Sequence, residues 1–272
     1  MQGIRRRGFL AGSLLCACRL PALANLEGGR SLECVTYGFR DGVSDLLAAA
    51  EFPGLRNIGL KNEENALAAI AIELSRLLEV NPCFGMFDDA GLCSGNAKAD
   101  PKRSLIKHPF AITNNPVTHG TVAVGEVLFQ RLLLMEHQTA ALGAVCAHEY
   151  GHILAEKLVR QDLEQLKMAD KSIARSELFA DFVSGYYAGV RKINQEDYAA
   201  GIHALNQFRF GDRLFGEQHH GTPRERAEAV AAGLQLGLRG QRPPAAVGSS
   251  ALHYVRSLTL ETVSETAQCI AD

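Results

Sequence analysis

Two histidines four residues apart, His148 and His152, flank Glu149 in a stretch from Ala140 to Val159 made mostly of apolar residues and good helix formers. Positions i and i+4 of a helix lie one above the other, so both imidazoles share one face. Downstream, Ser176-Glu177-Leu178-Phe179-Ala180-Asp181 places two carboxylates at the same spacing, and Phe182, Val183, Tyr186 and Tyr187 make that stretch apolar nearly all round. A helix of that kind is buried. Carboxylates carried into a core need a metal or a hydrogen-bond partner to offset their desolvation. The chain therefore has to fold so that these two helices satisfy each other's polar groups.

The pattern His148-Glu149-Tyr150-Gly151-His152 is HExxH, in which two histidines grip one metal ion and the glutamate beside the first acts as a base. A catalytic zinc takes three protein ligands and keeps a position open for water. Glu177 is the expected third ligand. Asp181, one turn on, is expected to accept the free ring N–H of a ligating histidine and so fix its tautomer. Glu149 is expected to take the proton of a metal-activated water and later pass it to the leaving amine. An oxyanion formed at the attacked carbonyl calls for a further donor, and His220, Arg226 and Tyr186 are the candidates. His219 and His220 lie in a glycine-rich loop with Gly211, Gly216 and Gly221, which would let His220 swing over the site or fill the open metal position. The plain alternatives are a pair of exposed loop histidines and, for Arg226, an ion pair with Asp181 or Glu177. His108, His119, His137, His203 and His253 belong to no motif and read as ordinary core or surface residues.

HEYGH followed by SELFAD resembles the glutamate-zincin (gluzincin) peptidases of the CAAX prenyl endopeptidase and HtpX type, including their soluble bacterial periplasmic relatives. Asn96-Ala97-Lys98-Ala99 and the run Gly120 to Leu128 are similar to that family's strand and following helix, and His220-Gly221-Thr222-Pro223-Arg224-Glu225-Arg226 is similar to its His-Pro and Arg segment, with the proline displaced. The resemblance spans about Asn62 to Gly233. It implies a zincin-like metallopeptidase domain holding one zinc ion, a protein or peptide substrate, and a role in envelope protein quality control, with an envelope protein as a further partner. It also implies that Thr121, Val122, Ala123 and Val124 form an edge strand on which an extended peptide adds by main-chain hydrogen bonds. A second reading is a zinc-bound chaperone-like or assembly factor that cuts little. A third is a zinc hydrolase of non-peptide amides.

At the N-terminus, Arg5, Arg6 and Arg7 precede an apolar core that ends near Ala22-Leu23-Ala24, the three parts of a secretory signal cut after Ala24. Arg6 to Leu10 also resembles a twin-arginine signal, so either export route is open. The apolar core is too short to span a bilayer, and Leu15-Cys16-Ala17-Cys18 is a poor lipobox. The expectation is a periplasmic or secreted protein without a stable transmembrane segment. Removing the signal takes away four arginines and leaves 24 basic against 30 acidic residues, a net charge of −6. With no basic patch, nucleic acid is not an expected partner. Seven cysteines become five, and an oxidising compartment lets some pair. Cys83 and Cys93 bracket a loop of the length a local disulfide closes, Cys146 reads as a buried free thiol, and Cys34 with Cys269 is an open pairing.

Periodicity predicts helices over Asn62 to Val80, Val127 to Met135, Thr139 to Val159, Ser172 to Val190, Glu196 to Phe208 and Pro223 to Leu238. Strands are expected at Phe110 to Ile112 and Thr121 to Val124, with loop from Asn81 to Pro109 and a Gly/Pro linker from Gly240 to Ser250. The fold class is α+β, mainly α, arranged as a signal at 1–24, a zincin-like domain at 25–239, and a segment at 240–272 packed on the same domain.

Overall fold

The structure, a computed structural model, describes residues 61–87, 97–100, 119–170, 172–207 and 220–260. Helix α1 (Lys61–Leu78) leads into β1 (Cys83–Phe87), β2 (Ala97–Asp100) and β3 (Thr121–Gly125). Then follow α2 (Glu126–Leu133), α3 (Gln138–Leu158), α4 (Arg160–Asp170), α5 (Ala174–Val190), α6 (Gln195–Gln207), α7 (Pro223–Leu238) and α8 (Pro244–Ser257). The described residues are thus mainly helical with one small sheet, an α+β arrangement.

Helix α3 is the centre. It packs against α1, α5, α6 and the sheet, and it buries every residue from Val145 to Ala155, charged ones included. Helix α1 offers it an apolar stripe of Leu67, Ile70, Ala71, Leu74, Leu77 and Leu78, the i, i+3, i+4 pattern of a helix with one buried face. Tyr150 of α3 locks the pair, donating to the Ala71 carbonyl at 3.2 Å and lying 3.3 Å from Ser75 Oγ. Helix α5 is sandwiched between α3 and α7. On the α7 side the backbones touch: a Cβ added at Gly185 would stand 1.9 Å from the Val230 carbonyl oxygen, and one at Gly233 would stand 1.9 Å from that of Phe182.

The sheet departs from the sequence-based expectation. β1 and β2 lie in the region that composition read as loop, although β2 falls where the family resemblance had placed a strand. β3 pairs in parallel with β1, Cys83 opposite Thr121, and antiparallel with β2, Ala97 opposite Val124. Thr121, Val122, Ala123 and Val124 therefore form the central strand, buried throughout and hydrogen-bonded on both sides. A peptide cannot add to them as an edge, and that assignment is corrected. β1 and β2 are the outer strands of the described sheet, and β2 also packs on α3.

Two helices also replace expected connections. Arg160–Asp170 is α4, and the stretch read as a Gly/Pro linker is largely α8. Pro244 starts α8 at a position where a missing N–H costs nothing. Gly248 sits inside it because Leu158 of α3 packs there, its Cδ1 3.0 Å from where a Cβ would be. The signal segment, the strand at Phe110 to Ile112, the Cys83–Cys93 and Cys34–Cys269 pairings, His108 and the loop through Gly211, Gly216 and His219 lie outside the described residues or their described side chains.

Candidate metal centre

The two middle positions of HEYGH build the site as much as the ligands do. Tyr150 ties α3 to α1, as above. Gly151 admits α5, since a Cβ there would lie 2.7 Å from Ala180 Cα. Ala180 stands between Glu177 and Asp181, so this backbone contact sets both carboxylates against the histidine face. Ser184 fixes the same register one turn on by donating to the Ala144 carbonyl at 2.9 Å. Sequence reasoning missed Gly151 and Ser184. The only signal was small residues in helices otherwise apolar.

His148 Nε2 lies 3.2 Å from His152 Nε2 and 3.3 Å from Glu177 Oε2, and His152 Nε2 lies 3.6 Å from Glu177 Oε1. The two imidazoles are edge-on, with ring planes at 85°. A tetrahedral ion bound at 2.0–2.1 Å holds its ligands about 3.3–3.4 Å apart. The three donors thus form one triangular face of such a tetrahedron, and the fourth vertex is left for another ligand. All three side chains are buried, and among the described residues this is the one His/Cys/Asp/Glu group placed to hold a metal ion. The donor set suits the ion that the sequence implied. Glu149, 2% exposed, follows His148 on the same helix.

Behind His148 the charges are arranged in a chain. His148 Nδ1–H donates to Asp181 Oδ1 at 2.8 Å, which leaves Nε2 as the lone-pair atom facing the triangle. Arg226 grips the same carboxylate with two bonds, Nε to Oδ2 and Nη2 to Oδ1, each 2.8 Å. Its Nη1 donates to the Leu205 carbonyl at 2.9 Å. Burial alone would push the Asp181 carboxyl up, but the Arg226 charge and hydrogen bonds, with His148, hold it well below the usual carboxylate range. Arg226 reaches this spot because α7 begins at a fixed point: Thr222 Oγ1 accepts from the Glu225 N–H, and Glu225 Oε2 accepts from the Thr222 N–H. This is a capping box, and Arg226 is the next residue.

Of the other sequence candidates, Arg226 is committed to Asp181 and is no donor to an oxyanion. Tyr186 is also excluded, because its hydroxyl accepts from the Arg242 N–H at 2.7 Å and donates to the Arg242 carbonyl. His220 is buried and does not join the ligand triangle. It precedes Gly221, whose left-handed φ of +95° lays the backbone over Leu178, the neighbour of Glu177. Cys146 is a buried free thiol, as expected, and burial, with the Glu149 charge, pushes its pKa far up. His119 and His137 have structural roles: His119 Nδ1 accepts from the Asn81 N–H at 2.8 Å, and His137 pairs with Asp197 at 2.9 Å. Among the described residues no helix is long and apolar enough to cross a membrane. Compared with family models, curated proteins and solved structures, the chain matches none.

Proposed function

We propose that this chain is a zinc-dependent endopeptidase, exported to the periplasm or secreted. The observation that carries the reading is the triangle of His148, His152 and Glu177 donors, with the buried Glu149 next to His148 in the helix and the Asp181–Arg226 pair behind the imidazole. A structural zinc site has four protein ligands, whereas among the described residues this group offers three. When bound, zinc supplies a Lewis acid that lowers the pKa of a coordinated water and polarises a carbonyl.

The chain's own groups divide the remaining work. The Glu149 carboxylate takes the proton of the attacking water and donates it to the amine nitrogen that leaves. Asp181 holds the His148 Nδ1 proton, keeping Nε2 free and the ring oriented. Arg226 keeps Asp181 ionised in a buried setting, so the orienting bond persists across the working pH range. His220 is the candidate donor to the developing oxyanion. With β3 paired on both sides, β2 is the strand against α3 that would receive an extended peptide.

The test is Glu149→Gln in the purified chain. Peptide hydrolysis should fall by about 10²–10⁴-fold, the usual share of a general base, while zinc content and circular dichroism stay as in wild type. Hydrolysis unchanged in a zinc-loaded, folded variant would refute the assignment. His220→Gln should lower kcat by a smaller factor with zinc content unaltered.

A further inference from the structure

Where α3, α5 and α6 meet, they surround a cavity of about 100 Å³. None of His148, Glu149, His152 or Glu177 lines it. On α3 its wall ends at Ala144, one turn before His148, and on α5 it starts at Ser184, about one turn past Asp181. Small residues create the space. A Cβ on Gly143 would stand 3.2 Å from Tyr187 Cε1, and one on Gly201 would stand 3.2 Å from Ala144 Cβ.

Of the polar side chains in the wall, Ser184, Tyr187, Arg191 and Asp197 are engaged with neighbours, and Thr139 and Tyr198 add two further hydroxyl-bearing side chains. Ser184 Oγ donates to the Ala144 carbonyl. The Tyr187 hydroxyl donates to Glu73 Oε2 at 3.1 Å and accepts from Arg191 Nη1 at 2.8 Å, and Asp197 pairs with His137. An occupant would meet the apolar surface of Ile202, Leu205 and Val230 together with Thr139 and Tyr198. Arg191 and Asp197 are 37% and 31% exposed, so they edge the opening. The space is smaller than the roughly 150 Å³ void that takes up benzene in an apolar core. It suits a short branched chain end.

We propose that this cavity is a binding site for one isopropyl- or isobutyl-sized group, carried by a molecule whose polar part stays at the mouth beside Arg191 and Asp197. The group could be a leucine or valine side chain of a peptide or the tail of a free small amphiphile; both offer the same chemistry. The site stands independently of the metal reading.

Isobutanol is the probe. Saturation-transfer NMR on the full chain should show it bound at millimolar concentration in wild type. In Ala140→Leu and Ala188→Leu, which fill opposite walls, the transfer should fall at least several-fold while circular dichroism and metal content are kept. A leucine-containing peptide that displaces the isobutanol, when its glycine analogue does not, assigns the occupant to a peptide side chain; failure of both to displace it assigns a free small molecule. No transfer to wild type, or undiminished transfer in both folded variants, would overturn the proposal. Neither readout uses catalysis, so loss of the peptidase reading would leave this one standing.

Discussion

At Gly185 and Gly233 helix α5 meets α7 backbone against backbone, whereas on its α3 and α6 side, one turn past Asp181, it leaves a cavity of about 100 Å³ that Val230 of α7 also lines. Both sides are built from small residues, yet they do opposite things. Toward α7 the small residues let two helices close on each other, and that closeness carries Arg226 onto Asp181. Toward α6 they leave room. The difference indicates where the fold needs accuracy: the carboxylate behind His148 tolerates little displacement, while the wall beyond Ser184 is under no such demand.

The largest effect expected from disturbing this contrast is at the charge pair. Arg226→Ala leaves the Asp181 carboxylate buried beside His148 without its guanidinium, and one partner removed from a buried pair costs about 3–5 kcal/mol. Urea titration should show a loss of that size, with weakened metal binding. Next come two equivalent substitutions on opposite sides. Gly233→Ala forces a Cβ to within 1.9 Å of the Phe182 carbonyl oxygen, and overpacking of this kind costs about 1–3 kcal/mol or more. Gly201→Ala meets Ala144 Cβ at 3.2 Å and the Ala140 carbonyl oxygen at 3.8 Å, and the gain in helix propensity, about 1 kcal/mol, offsets the crowding. The midpoint should fall clearly in the first and move by less than about 1 kcal/mol in the second. Equal losses in both would abolish the contrast.

The pH dependence of the tight side has a defined sign. The Asp181 carboxyl is held below its unfolded value of about 3.9, so the folded state binds fewer protons than the unfolded one just below that pH. The stabilisation it provides is complete above about pH 4 and is withdrawn as pH falls further. Asp181→Asn should flatten that part of the stability profile measured with the metal removed. The smallest effect is chemical: Cys146, with its thiol buried and its pKa pushed up, should resist alkylation in the folded chain and react only on unfolding, as read by peptide mapping.

The grouping of His148, His152 and Glu177 and the bond from His148 to Asp181 were legible because i, i+4 spacing on an apolar helix carries its own geometry. Periodicity also placed the start of α7 at Pro223, where the Thr222–Glu225 capping box of the structure fixes it. Pairing partners were not legible. Nothing in Thr121 to Val124 tells an edge strand from a central one, and Ala97 to Asp100 has too little β-branched or aromatic content for its pattern to mark a strand, so only the family resemblance pointed to one there. The α8 segment was hidden by its prolines and by Gly248, whose reason is the distant Leu158. Arg226 was read with two possible acidic partners, and only the approach of α7 to α5 decides for Asp181.

The most direct test of the metal centre is metal content by mass spectrometry on the purified chain, wild type against His148→Ala and Glu177→Ala. One zinc per wild-type chain, lost or much weakened in both folded variants, is the predicted result. A folded wild type that carries no metal and takes up none when zinc is added would contradict it.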